Sequence, residues 1–104
     1  KRAATILEAA VKRGINEPEL LGFLGAVEQR LHRYDAAAEA YRQALNQRPR
    51  EGKWWLGLGI ALEGAGHLNA AHKAYTEALS SADLGNRMVS YVRQRRSAVK
   101  QRIN

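Results

Sequence analysis

The chain has 104 residues, the size of one domain, and no cysteine, which excludes a disulfide framework and thiolate metal sites. Its 17 Lys and Arg outnumber 10 Asp and Glu, but the excess is local: residues 1–85 hold 11 basic and all 10 acidic residues, and residues 86–104 hold six basic residues and no acid. No apolar run approaches the ~18 residues of a membrane span, so membrane attachment is expected only through a segment outside this sequence.

Alanine and leucine dominate and β-branched runs are absent, which favours helix throughout. Residues 2–13 form the first predicted helix, with Ala3, Leu7 and Ala10 on its apolar face. After the break from Gly14 to Pro18, Pro18 suits the first turn of a helix over 18–31, where its missing N–H costs nothing. Asp35 is the expected N-cap of a third helix, 35–47. A fourth helix follows over 52–65, and Asn69 is the expected N-cap of a fifth, 69–81. The last helix, 86–102, places Met88, Val92, Val99 and Ile103 on one face.

The segments repeat. A shift of 34 residues lays Leu24-Gly25 on Leu58-Gly59, Ala37 on Ala71, Tyr41 on Tyr75 and Ala44-Leu45 on Ala78-Leu79, with no gap. Two helices in each 34-residue period mark a helical repeat array. The small residues are expected where paired helices cross closely, and Tyr41 and Tyr75 between successive repeats.

These residues resemble the tetratricopeptide pattern, which asks for Trp, Leu-Gly and Tyr on the first helix, Ala, an aromatic and Ala on the second, and a closing Pro. Residues 52–85 supply Trp55, Leu58-Gly59, Ala71, Tyr75 and Ala78, departing with Leu62 for Tyr and Asp83 for Pro. Residues 18–51 supply Leu24-Gly25, Ala37, Tyr41, Ala44 and Pro49, departing with Leu21 for Trp and Glu28 for Tyr. The resemblance implies an all-α, right-handed solenoid of about two and a half repeats. Residues 1–17 would be the second helix of a truncated repeat, followed by repeats 18–51 and 52–85 and a basic capping helix, 86–104. The chain is accordingly expected to be a piece of a longer protein. Residues 52–63, with Tyr91 to Arg96, also resemble the C-terminal part of MSHA-type pilus biogenesis proteins. That likeness implies a role in assembling a type IV-like pilus at the bacterial inner membrane, with this domain periplasmic.

The family binds its partners in a groove lined by the first helix of each repeat. Carried over position by position, that groove takes Glu19, Gly22, Phe23, Ala26, Gln29 and Arg30 from one helix and Lys53, Leu56, Gly57, Ile60, Glu63 and Gly64 from the next. Arg87, Ser90, Tyr91 and Gln94 come from the last helix. The family's carboxylate clamp is absent, since its positions hold Gly22, Ala26 and Gly57. What remains is a small apolar groove, with small residues that let a peptide backbone come close. Leu56 and Ile60 either face that ligand or pack on a neighbouring helix. Trp55 has the pattern's structural place, and Trp54 is either a partly exposed partner anchor or packed on the preceding repeat.

The basic surface of the last helix, Arg93, Arg95, Arg96, Lys100 and Arg102, offers an alternative in which nucleic acid or an anionic surface binds there. Only Tyr91 interleaves with these cations, which argues against a nucleic-acid module. The open face of residues 2–13 offers self-association. No metal, cofactor or catalysis is expected. The glycines at 57, 59, 64 and 66 lack the Gly-Lys-Ser/Thr of a phosphate loop, and His67 and His72 do not share a helix face.

Overall fold

The computed structural model describes residues 2–14 and 17–103. It consists of six helices: α1 (Arg2–Lys12), α2 (Pro18–Arg30), α3 (Tyr34–Gln47), α4 (Gly52–Gly64), α5 (Leu68–Ser80) and α6 (Asn86–Ile103). No strand occurs among the described residues, and the expected helices are met to within a residue at each end. Residues 1, 15, 16 and 104, at the margins of the expected first break and of both terminal segments, lie outside the described residues. The helices pack in chain order, α2 on α3, α3 on α4, α4 on α5 and α5 on α6, in a body of 41 × 27 × 20 Å.

The 34-residue period reappears in the backbone. Helices α2, α4 and α6 start at residues 18, 52 and 86, and α3 and α5 at 34 and 68. Helices α2 and α4 also stop in the same way. His32 and Gly66, at φ 59° and 85°, take the left-handed conformation just past each helix. The Arg33 N–H then donates to the Glu28 carbonyl and the His32 N–H to that of Gln29, while His67 donates to Leu62 and Gly66 to Glu63. These are paired Schellman closures, which satisfy carbonyls that a helix end leaves open.

Asp35 and Asn69 are not the N-caps. The Arg33 carbonyl accepts from the Ala37 N–H and the His67 carbonyl from that of Ala71, so α3 and α5 begin one residue earlier than expected. Arg33 and His67 hold the cap positions without a side-chain cap bond. Asp35 lies in the first turn of α3, where a carboxylate favours the helix dipole, and meets His67 Nε2 at 3.1 Å. Asp83 caps α4 instead: its carboxylate accepts from the Gly52 N–H at 3.2 Å. The Ser81 hydroxyl and that N–H hold the Asp83 carboxyl below its usual value. Asp83 thus serves α4 from beyond the end of α5, at the position where Pro was expected.

The core depends on glycine under aromatic rings. A Cβ on Gly25 would stand 2.9 Å from the Tyr41 ring, and one on Gly59 would stand 2.6 Å from the Tyr75 ring. Tyr41 also covers Gly57, so one ring binds α2, α3 and α4. Tyr75 is fully buried, and Ala37 and Ala71 beside these crossings have no exposure. On α6, Val92 and Val99 are buried but Met88 and Ile103 are 43% and 38% exposed, which narrows the expected four-residue apolar face. Met88 and Ile103 stand in the first and last turns of α6, outside the buried pair. On α1, Ala4 and Leu7 are buried, Ala10 is half-buried and Ala3 is exposed.

Glu28 is the one buried charged residue among those described, at 2% exposure. Arg33 Nη1 donates to it at 3.3 Å, and Glu8 of α1 lies 3.8 Å from the same Arg33 atom. Burial, then the neighbouring Glu8, pushes the Glu28 carboxyl above its usual value, against the pull of Arg33.

Two outcomes follow. Gly59→Ala overpacks the Tyr75 contact at a cost of about 1–3 kcal/mol, partly offset by up to about 1 kcal/mol of helix propensity. Chemical denaturation should show a net loss, with Gly85→Ala as a near-neutral control because nothing lies within 4 Å of its added Cβ. Glu28 holds its proton more tightly folded than unfolded, so its contribution is full below the unfolded pKa and is lost as pH rises through the folded one. Glu28→Gln should remove that slope, raising stability more near neutral pH than in acid, as read by urea midpoints across pH.

Candidate binding face

Two pockets open along α2, α4 and α6. The first, of 320 Å³, lies between α2 and α4 and is lined by Glu19, Gly22, Phe23, Ala26, Tyr41, Lys53 and Trp54. Phe23 is 59% exposed. Lys53 Nζ lies 5.9 Å from the centre of the Trp54 ring system, and Glu19 pairs with Arg48 at 2.5 Å. The second pocket, of 380 Å³, lies between α4 and α6 and is lined by Ile60, Glu63, Gly64, Tyr91, Arg95 and Arg102, with Tyr34 and Tyr75 behind them. Tyr91 is 41% exposed.

Glu63 organises the second pocket. It is 13% exposed, and Tyr75 donates its hydroxyl to Glu63 Oε1 at 2.8 Å. Arg95 grips both carboxylate oxygens, through Nε at 3.3 Å and through Nη2, and Arg102 lies 3.8 Å away. Burial, together with the Glu63 carboxylate, pushes the Tyr75 phenol far up, and Glu63 holds Arg95 more firmly protonated. One carboxylate thus faces two guanidiniums, and the pocket keeps a net positive charge that suits an acidic group on a ligand.

Of the expected groove residues, Phe23, Ala26 and Lys53 meet in one pocket and Ile60, Glu63 and Tyr91 in the other. Arg30 and Arg87 are exposed and line neither. Leu56 is buried, 5% exposed, and is not a groove residue. It stands 34 residues after Gly22, which lies against Trp54 of the following α4, so this side of each first helix receives the next one. Trp54 is likewise corrected: at 6% exposure, packed on Gly22, it forms pocket floor instead of projecting as an anchor.

The groove glycines do not admit a ligand backbone either. Trp54 occupies the space over Gly22, Tyr41 that over Gly57 and Tyr34 that over Gly64. Gln29 is half-buried, and its Oε1 has no hydrogen-bond partner among the described residues. The basic surface is also less uniform than expected. Arg95 and Arg102 belong to the Glu63 cluster, and Arg96 Nη1 donates to Thr76 Oγ1 at 3.4 Å, while Arg93 and Lys100 are exposed.

The sequence reading missed Tyr34 and Tyr75, because a 34-residue comparison ranks them as structural and not as pocket walls. It also missed two pockets beside Trp55. One, of 590 Å³, is bounded by Pro49 and Asp83, where Trp55 Nε1 donates to the Pro49 carbonyl at 2.7 Å. The other, of 500 Å³, has an apolar floor of Leu58, Leu62 and Ala74. Among the described residues no cluster of three or more His, Asp or Glu could hold a metal, and no helix is long and apolar enough to cross a membrane.

Removing Glu63 strands Arg95 and the Tyr75 hydroxyl. Glu63→Ala should cost about 1.5–3 kcal/mol, the range for hydrogen bonds to charged groups. Hydrogen exchange should quicken in α6 more than in α2. Compared with known proteins, the chain matches no family model and no curated protein.

Proposed function

We propose that the chain is a non-enzymatic interaction scaffold of the tetratricopeptide type, a right-handed solenoid that holds a partner segment along α2, α4 and α6. Here α1 is the second helix of an incomplete repeat, α2–α3 and α4–α5 are full repeats, and α6 caps them. The observation that carries this reading is the recurrence at 34 residues of helix starts, Schellman closures and glycine–tyrosine crossings. Such recurrence is the physical content of a repeat array. Its first helices leave one shared face, with an exposed aromatic at each of two pockets, Phe23 and Tyr91.

The partner segment has apolar side chains for the Phe23 and Ile60 surfaces and an acidic group toward Arg102. Extended and helical segments both present side chains at suitable intervals. The likeness of residues 52–63 and 91–96 to MSHA-type pilus proteins supports placing this scaffold in type IV-like pilus assembly, on the periplasmic side of the bacterial inner membrane. A second reading, attraction of nucleic acid or an anionic surface to α6, is favoured by the exposure of Arg93 and Lys100.

The test is selection of binding segments from a displayed peptide library, followed by titration into Phe23→Asp/Tyr91→Asp. Both side chains are exposed, so the double variant should fold. Selected peptides should lose at least ~10-fold in affinity, about 1.4 kcal/mol. Unchanged binding in the folded variant would refute the groove reading. Leu56→Asp is unsuitable as a probe, since it puts a charge into the core.

A further inference from the structure

On α2 and α4, one face receives the following helix of the pair. On α2 that face carries Leu21, Gly25 and Glu28, with Tyr41 of α3 over Gly25. On α4 it carries Trp55, Gly59 and Leu62, with Tyr75 of α5 over Gly59. Thirty-four residues further on, the same face of α6 carries Val89, Arg93 and Arg96, and Lys100 continues it one turn later. Arg96 reaches Thr76 of α5 at the edge of this face, while Arg93 and Lys100 are exposed. Arg93 stands where the other two helices have glycine, so a tyrosine ring could not settle there as it does on α2 and α4.

The cations of α6 lie in different surroundings, with Arg87 exposed in its first turn. Ser90, Gln94, Ser97 and Gln101, spaced 4, 3 and 4 apart, form an exposed uncharged stripe that Arg87 heads three residues before Ser90. Arg95 and Arg102 turn toward Glu63. Arg93 and Lys100 are exposed on the pairing face beside half-buried Val89 and Arg96, the latter already donating to Thr76 of α5. Among the described residues neither Arg93 nor Lys100 has a carboxylate in ion-pair range. Residues 84–104 contain no acid, and Glu77 of α5 lies in the pockets beside Trp55.

We propose that the face of α6 bearing Val89, Arg93, Arg96 and Lys100 seats an acidic helix of a partner protein, in the place where α3 lies on α2 and α5 on α4. The partner helix carries carboxylates at i and i+7 to meet Arg93 and Lys100, and a small apolar residue over Val89. A helix is favoured over a phosphate backbone because Arg93 and Lys100 lie on the face with which α2 and α4 each receive a helix, one and three turns from apolar Val89. Charge of this kind chiefly sets specificity and rate of encounter, and weakens with salt.

The test uses a designed helical peptide of alanine and leucine with glutamate at i and i+7, and its glutamine counterpart, titrated at low salt into the labelled chain. The glutamate peptide should bind at least ~10-fold more tightly, with amide shifts centred on Val89, Arg93, Arg96 and Lys100. Arg93→Glu/Lys100→Glu should abolish that preference and prefer a lysine peptide instead. Because both side chains are exposed the fold should survive, and Arg93→Ser/Lys100→Ser serves as the milder variant. Equal binding of the two peptides, or shifts confined to α2 and α4, would overturn the proposal. So would a short DNA duplex or anionic vesicles that bind through Arg93 and Lys100 when the glutamate peptide does not.

Discussion

A tyrosine ring needs room beside a helix, and only glycine leaves enough. This constraint sets the spacing of α2 to α5. Gly25 and Gly57 give up their side-chain volume to Tyr41, and Gly59 gives up its own to Tyr75. A buried aromatic side chain is worth roughly 1.5–3 kcal/mol, more than the helix propensity of about 1 kcal/mol that each glycine forgoes. The exchange also brings a phenol into the interior, and a buried hydroxyl needs an acceptor. At Tyr75 that acceptor is Glu63, whose remaining capacity draws in Arg95 and Arg102. Core packing thereby reaches the candidate binding face through a chain of named atoms.

Much of this architecture was legible in the sequence, because the 34-residue shift compares positions whose backbone environments are alike. Helix starts, the small residues at crossings and the two buried tyrosines all belong to that class. The shift was less useful for deciding what fills the space over a glycine. Gly22, Gly57 and Gly64 read as openings for a ligand backbone, yet Trp54, Tyr41 and Tyr34 of the same chain lie there. Leu56 was misplaced for a related reason. Its counterpart Gly22 has no side chain, so nothing in its identity tells which neighbour it meets. The position of Trp54 on the next helix carries that information, but only once the packing is known. The Glu63 cluster was hidden because Arg95 and Arg102 looked like members of a solvated basic run.

Helix α6 divides its charge among three surroundings. Arg95 and Arg102 tie it to α4 through Glu63, Arg96 donates to a hydroxyl of α5, and Arg87, Arg93 and Lys100 face outward. A composition of six cations and no acid therefore describes a helix that is partly neutralised on one edge and open on another. Net charge alone would assign both edges the same partner. The side-chain contacts separate an edge engaged in holding the fold from one available to recognition.

The two ends of the body are held unequally. Helix α6 has two fully buried valines, a two-point arginine grip and a hydroxyl contact behind it. Helix α1 rests chiefly on α2 through Ala4 and Leu7, with Glu8 reaching Arg33 at 3.8 Å and Ile6 62% exposed. Few buried contacts mean a small free energy of local opening. Amide protection should therefore rise along the chain from α1 inward, and a protease acting on brief openings would trim the first helix while leaving α2 to α6 joined. Opening of α1 leaves the tyrosine contacts of Gly25, Gly57 and Gly59 in place.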